Sequence, residues 1–171
     1  MQELVNSVRT AIAQRNWYAA LSLALALPDI CGFLESPNDG SQRRYVAWCD
    51  RFLVPRYTTR IGPDQIEHVF LSGQDCYALR CAFLHEGSDD ITRQRARQAL
   101  ESFVFVEPPN GRMIHRNQAN ARLQLQVDIF CADVCAGVDS WLQTVFHTQA
   151  DIQARANDLL SIRSLAGGLR F

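Results

Sequence analysis

The chain contains no lysine: all 17 of its basic residues are arginine. This absence removes the Schiff-base lysine of carbonyl chemistry and the lysine of a phosphate-binding P-loop. Also missing are a CxxC pair, an HExxH helix, a GxGxxG turn and a GxSxG nucleophile elbow. Neither a metal site nor a nucleotide cofactor is therefore expected, and hydrolase chemistry on a serine elbow has no local support. The exclusive use of arginine hints at a GC-rich bacterial genome.

Long hydrophobic runs are absent too. The most apolar stretch, Trp17 to Leu27, has eleven residues before Pro28-Asp29, whereas a membrane-spanning helix needs about 20. The opening Met1-Gln2-Glu3-Leu4-Val5-Asn6 has neither a basic start nor an apolar core, so no secretory signal is expected. The expected setting is the cytoplasm, with no membrane association. There the six cysteines (Cys31, Cys49, Cys76, Cys81, Cys131 and Cys135) are expected to be reduced and mostly buried.

Charge of one sign is also lacking. A formal net charge of -1, with 20% charged residues, provides no global basic field. That disfavours a DNA-binding domain but leaves room for RNA at a small local site. Hydrophobic residues make up 47% of the 171, enough for a core in one domain spanning 1–171.

The periodicity predicts mostly helix. Residues 3–14 carry Leu4, Val5, Val8 and Ile12 at helical spacing, and residues 16–27 follow with Asn16 as N-cap. Pro28 through Gly40 reads as a loop. A third helix is expected over Ser41–Arg60, its stripe being Tyr45, Trp48, Cys49, Phe52 and Leu53, bent or ended by Pro55. Gly62-Pro63-Asp64 marks a turn before a short helix with Ile66, Val69 and Phe70. Ser72 then caps a helix that runs to about Glu86 and stops at Gly87.

Asp89–Leu100 reads as a polar, arginine-rich surface helix. Ser102–Val106 alternates like a strand, Pro108-Pro109-Asn110-Gly111 signals a turn, and Met113–Arg116 is expected to pair back as a hairpin. Ala121–Val127 fits either a third strand or the start of the next helix. Ile129–Phe146 and Gln149–Ile162 complete the helices, and Gly167-Gly168 breaks the chain before its tail. The expected fold is mainly α: a helical bundle with a small antiparallel β hairpin or three-stranded sheet in the second half, at about 102–127, hence α+β.

One segment carries chemistry: Asp75-Cys76-Tyr77-Ala78-Leu79-Arg80-Cys81-Ala82-Phe83-Leu84-His85-Glu86-Gly87. On a helix Cys76, Leu79, Phe83 and Leu84 form an apolar face, and Arg80, four after Cys76, falls inside it. A guanidinium there requires a carboxylate, a carbonyl or a ligand phosphate. His85 lies about 140° further around an ideal helix, but in the last turn. The helix dipole there favours an imidazolium, which suits an acid or base working near neutral pH.

The sequence Arg80-Cys-Ala-Phe-Leu-His85, followed by Glu86-Gly87, resembles the R-x4-H signature of the HEPN superfamily of small helical bundles. The specific match covers about fifteen residues, and the late β segment is an elaboration on that fold. The resemblance implies a metal-independent endoribonuclease, or an RNA-binding relative, acting as a homodimer with the two motifs facing each other. It implies that Arg80 holds the scissile phosphate and that His85 acts as general acid or base toward the ribose 2′-hydroxyl. The products would be a 2′,3′-cyclic phosphate and a 5′-hydroxyl. A role in bacterial toxin, defence or stress physiology, with an antitoxin partner, is implied in the same way.

Active relatives often carry a polar residue directly after the arginine, where this chain has Cys81, a poor hydrogen-bonding group. Some relatives are non-catalytic dimerisation or sensing modules, so a structural or sensing dimer stands beside the nuclease expectation. In that case Arg80 is an internal strut paired with Asp50 or another carboxylate, and His85 is a solvated end of the helix.

Supporting candidates are Asp50, able to orient Arg80 or His85, together with Tyr77, Cys81 and Glu86 beside the motif. Arg93, Arg95 and Arg97 form a basic stretch suited either to RNA phosphates or to solvent alone. Arg112, His115 and Arg116 stand in the same position around the hairpin.

Overall fold

The computed structural model describes residues 1–162. Its helices are α1 (Gln2–Ala13), α2 (Trp17–Glu35), α3 (Ser41–Phe52), α4 (Gly73–Glu86), α5 (Val127–Thr144) and α6 (Ala150–Ala156). Two small sheets accompany them. One joins β1 (Thr58–Ile61) to β2 (Ile66–Val69), and the other orders β3 (Ser102–Val106), β5 (Arg122–Gln126) and β4 (Asn117–Ala119). The protein is a mainly helical α+β fold, as its periodicity indicated. The Gly167-Gly168 break lies outside the described residues.

α2 is the central element, packing against α1, α3 and α5. It begins where expected, with the Asn16 side chain accepting the Ala19 N–H. It does not end at Leu27. The helix continues through Pro28 to Glu35, so the expected loop shrinks to the residues between Glu35 and Ser41. An interior proline removes a helical N–H and costs about 3 kcal/mol. The carbonyl that Pro28 deprives of its helical donor is that of Ala24; the neighbouring Leu25 carbonyl accepts the buried Tyr45 hydroxyl at 3.2 Å and ties α2 to α3. Burial of Leu27, Cys31 and Leu34 beyond and beside the proline offsets the cost.

α2 and α5 are each long and apolar enough to cross a membrane by length and composition, yet half of each apolar window is buried within the fold. Their apolar surface is used in the core, which is compatible with a soluble protein. One contiguous core holds Trp48, Trp141, Tyr45, Tyr57, Phe103 and Phe130.

The helix expected over Ser41–Arg60 stops at Phe52. A 3-10 turn over Val54–Tyr57 begins around Pro55, and the next residues form β1. Ile66, Val69 and their neighbours, expected as a short helix, form β2, paired antiparallel as Thr58↔Val69 through Ile61↔Ile66. The β-branched residues Thr58, Thr59, Ile61, Ile66 and Val69 favour this pairing, and Gly62 supplies the positive φ (72°) that the connection needs.

Asp89–Leu100 is irregular rather than helical. Its closing residues are held by Asp75, whose carboxylate accepts the N–H groups of Gln98, Ala99 and Leu100. Met113–Arg116 does not pair with β3. The partner of β3 is β5, in parallel register from Ser102↔Arg122 to Val106↔Gln126, while β4 pairs antiparallel on the other side of β5. Parallel strands need a long connection, and the proline pair at 108–109 plus residues 110–116 supply it. Ala121–Val127 resolves as strand followed directly by α5. The last expected helix is confined to Ala150–Ala156.

Candidate functional site

α4 forms as its caps dictate. Ser72 accepts the Asp75 N–H, and Gly87 ends the helix with a left-handed φ of 65°. Along this helix Arg80 and His85 point to one place: Arg80 Nη1 lies 3.3 Å from His85 Nε2. A guanidinium has only donors, so the imidazole accepts, with its lone pair on Nε2. The expected separation around the helix is overcome by the reach of the arginine side chain and by the position of His85 in the last turn.

The carboxylate that the buried-face argument demands is Asp29. Its Oδ2 accepts Arg80 Nη2 at 2.9 Å, and its Oδ1 accepts Arg44 Nε at 3.1 Å. The three side chains are 18–19% exposed. Arg44 also donates to the Asp39 carbonyl and lies over the Phe33 ring. α2, α3 and α4 are thus tied by one carboxylate between two arginines. Burial works against the Arg80 charge, but the contact with Cys81 and the Asp29 carboxylate outweigh it and raise its proton affinity above the ordinary guanidinium value. Arg80 Nε is buried with no partner.

Asp50 was the named candidate for this role and does not fill it. It makes no ion pair with Arg80 or His85 among the described residues. Its carboxylate sits against Gly73 at the opposite end of α4, where burial raises its proton affinity and the Gly73 N–H partly opposes the rise. Asp29 went unrecognised because it follows Pro28, which reads as the end of a helix. The available signal was the demand of Arg80 for an acid on a neighbouring apolar helix.

Tyr77 also lies apart from the Arg80–His85 pair. Its hydroxyl is 3.1 Å from Ser41 Oγ, its ring meets Tyr45 edge-on, and with Asp50 it lines an open groove of about 690 Å3 between α3 and α4. Cys81 is half-buried, with its Sγ 3.9 Å from Arg80 Nη1. Glu86 is turned away, accepting from Gln94 at 3.0 Å. Arg93, Arg95 and Arg97 are all exposed on the irregular segment, Arg97 donating to the Leu100 carbonyl.

His115 is no surface contact: its side chain is 4% exposed. It packs on Tyr57, and its Nδ1 accepts the Gln126 N–H at 3.2 Å. Arg116 donates to the Arg56 carbonyl, and Arg112 is exposed. No group of three or more His, Cys, Asp or Glu among the described residues is placed to hold a metal ion.

Chemically, the site offers a guanidinium beside an imidazole nitrogen. Such a pair can bind an anion and take up a proton next to it.

No family model matches the chain, and no solved structure matches it. A nonribosomal peptide synthetase, kk1B of Curvularia clavata, is 30% identical over 132 residues. That alignment covers 77% of this chain, and the chain spans about 1% of the synthetase.

Proposed function

We propose that this protein is a HEPN-like, metal-independent endoribonuclease or RNA-binding protein that acts as a homodimer in the cytoplasm. The observation that supports this reading is the meeting of Arg80 Nη1 and His85 Nε2 at 3.3 Å, on a helix end anchored by Asp29. Arg80 takes the scissile phosphate and stabilises the charge that develops on it. As the phosphate engages Arg80, Nε2 of His85 is released to accept the 2′-hydroxyl proton. The 2′-oxygen then bonds to phosphorus and the bond to the 5′-oxygen breaks. His85 of the second copy, in protonated form, supplies the proton for that leaving oxygen. Exposed Arg93, Arg95 and Arg97 follow α4 in sequence and steer the RNA backbone. A bacterial toxin or defence role with an antitoxin partner accompanies this reading.

A second reading rests on Asp29. Because Arg80 already has a carboxylate partner, the same helix serves a non-catalytic structural or sensing dimer in which Arg80 is an internal strut. Incubating purified protein with mixed cellular RNA and EDTA, beside folded Arg80→Ala and His85→Ala variants, separates the two. Cleavage by the parent that both variants lose supports the nuclease, whereas equal cleavage by all three, or none, favours the structural dimer.

A further inference from the structure

Arg44 and Arg80 share a single carboxylate. Among the described residues neither has another acidic partner within ion-pair distance. The neighbouring acids are engaged elsewhere: Asp39 with Arg43, and Glu86 with Gln94. Three charged side chains, each about one-fifth exposed, therefore carry one uncompensated positive charge. Partial burial makes that excess costly unless an anion joins it. Arg44 keeps an unused donor, since it spends only Nε and Nη1 on Asp29 and Asp39.

The Asp29–Arg44 part of this charged floor is also reachable. A niche of about 250 Å3, walled by Ala26, Ile30, Phe33 and Leu159, opens onto Asp29 and Arg44. The Phe33 ring over Arg44 limits the directions in which its guanidinium can turn. Asp29 grips Arg44 through Oδ1 and Arg80 through Oδ2, so one carboxylate sets the spacing and orientation of both forks.

We infer that Arg44 is a second anion-binding group of the Arg80–His85 site, that Asp29 is the positioning residue for both guanidinium groups, and that the anion they take is a phosphate. This deepens the nuclease reading, because the phosphate would be that of an RNA backbone, but the binding claim can be judged without any cleavage. The two arginines lie on different helices, α3 and α4. They engage a phosphate from two directions, leaving His85 beside it.

The probe is inorganic phosphate, titrated against the full chain and followed by NMR of the arginine side chains and by calorimetry. The wild type is expected to bind phosphate saturably. Arg44→Gln should weaken it by about tenfold, the equivalent of losing one charge-assisted contact. Arg44→Lys keeps the charge and should recover most of the affinity, which a purely structural role of Arg44 would not produce. Asp29→Asn should weaken binding even though it adds net positive charge, because the forks lose their alignment.

Phosphate binding by Arg44→Gln equal to wild type overturns the assignment, as does a wild type that binds no phosphate. An Asp29→Asn variant that binds more tightly overturns the positioning role of Asp29. RNA cleavage by a wild type whose phosphate affinity ignores Arg44 sinks this inference and leaves the nuclease reading standing. Arg44-dependent phosphate binding without RNA cleavage does the reverse.

Discussion

Asp75 Oδ1 accepts the backbone N–H of Leu100 at 3.3 Å, across twenty-five positions of sequence. The same carboxylate accepts from Gln98 at 2.7 Å and Ala99 at 3.2 Å, and Ser72 Oγ donates to its other oxygen at 2.8 Å. A 1% exposed acid thus fastens the irregular arginine-rich segment to the start of α4.

Asp75→Ala should be among the most destabilising single changes in the protein. It leaves the N–H groups of Gln98, Ala99 and Leu100 without their acceptor, that of Leu100 in a buried place, where a lost partner is worth about 1–3 kcal/mol. A loss of about 3 kcal/mol or more is expected in urea unfolding, with amide exchange rising first at residues 98–100. Wild-type stability in Asp75→Ala would refute the anchoring role.

Gly32 sits where α2 meets the backbone of α3. A Cβ there would lie 2.8 Å from the Arg44 carbonyl oxygen and 3.2 Å from Arg44 Cβ. Because the obstruction is backbone, Gly32→Ala should push the helices apart. A net cost of about 1–3 kcal/mol is expected, even though alanine favours helix. Phosphate affinity should fall with it, since the shift moves Arg44 relative to Asp29.

Stability should depend on pH through His115. Burial lowers its proton affinity; Asp133 and Asp128 on α5 oppose that change, and Arg116 adds to it. The remaining neighbours are Tyr57, whose hydroxyl donates to Asp133, and Arg56, which pairs with Asp133. With the folded pKa below the ordinary 6.5, the unfolded chain protonates first as pH falls. The contribution is complete above about pH 6.5 and declines toward the lower folded value, after which it is constant. Thermal unfolding between pH 7.5 and 5 should show a steeper loss in wild type than in His115→Gln; parallel curves would exclude His115 as the cause.

The thiols should divide by burial. Cys31, Cys49, Cys76, Cys131 and Cys135 are buried, whereas Cys81 is half-exposed. Burial holds Cys31, Cys49 and Cys131 well above the usual thiol range and pushes Cys135 up to about 11. At pH 8 a maleimide should label one site in the native protein, Cys81 by peptide mapping, and all six after denaturation. Rapid native labelling of a second cysteine would contradict the packing.

Local patterns were enough to define α1, α4 and α5, the cap at Ser72, the stop at Gly87 and the strand at Ser102–Val106. In each, the periodicity and the capping residues act within one or two turns. The Arg80–His85 motif was legible for the same reason, because both residues lie on one short helix end. Its partners were not. Asp29 and Arg44 are 51 and 36 positions away from Arg80, and only the packing of α2, α3 and α4 brings them together.

Tertiary structure also decided the continuation of α2 through Pro28. There core burial of Leu27, Cys31 and Leu34 outweighs a local helix-breaking preference. It likewise decided that Asp89–Leu100 would wrap on Asp75 rather than coil, and that β3 would pair with β5 in parallel. The amino-acid sequence determines which segments can be helix or strand and which side chains carry charge. Where two strong local preferences compete, or where a charge needs a partner, the free energy of long-range contacts selects the outcome.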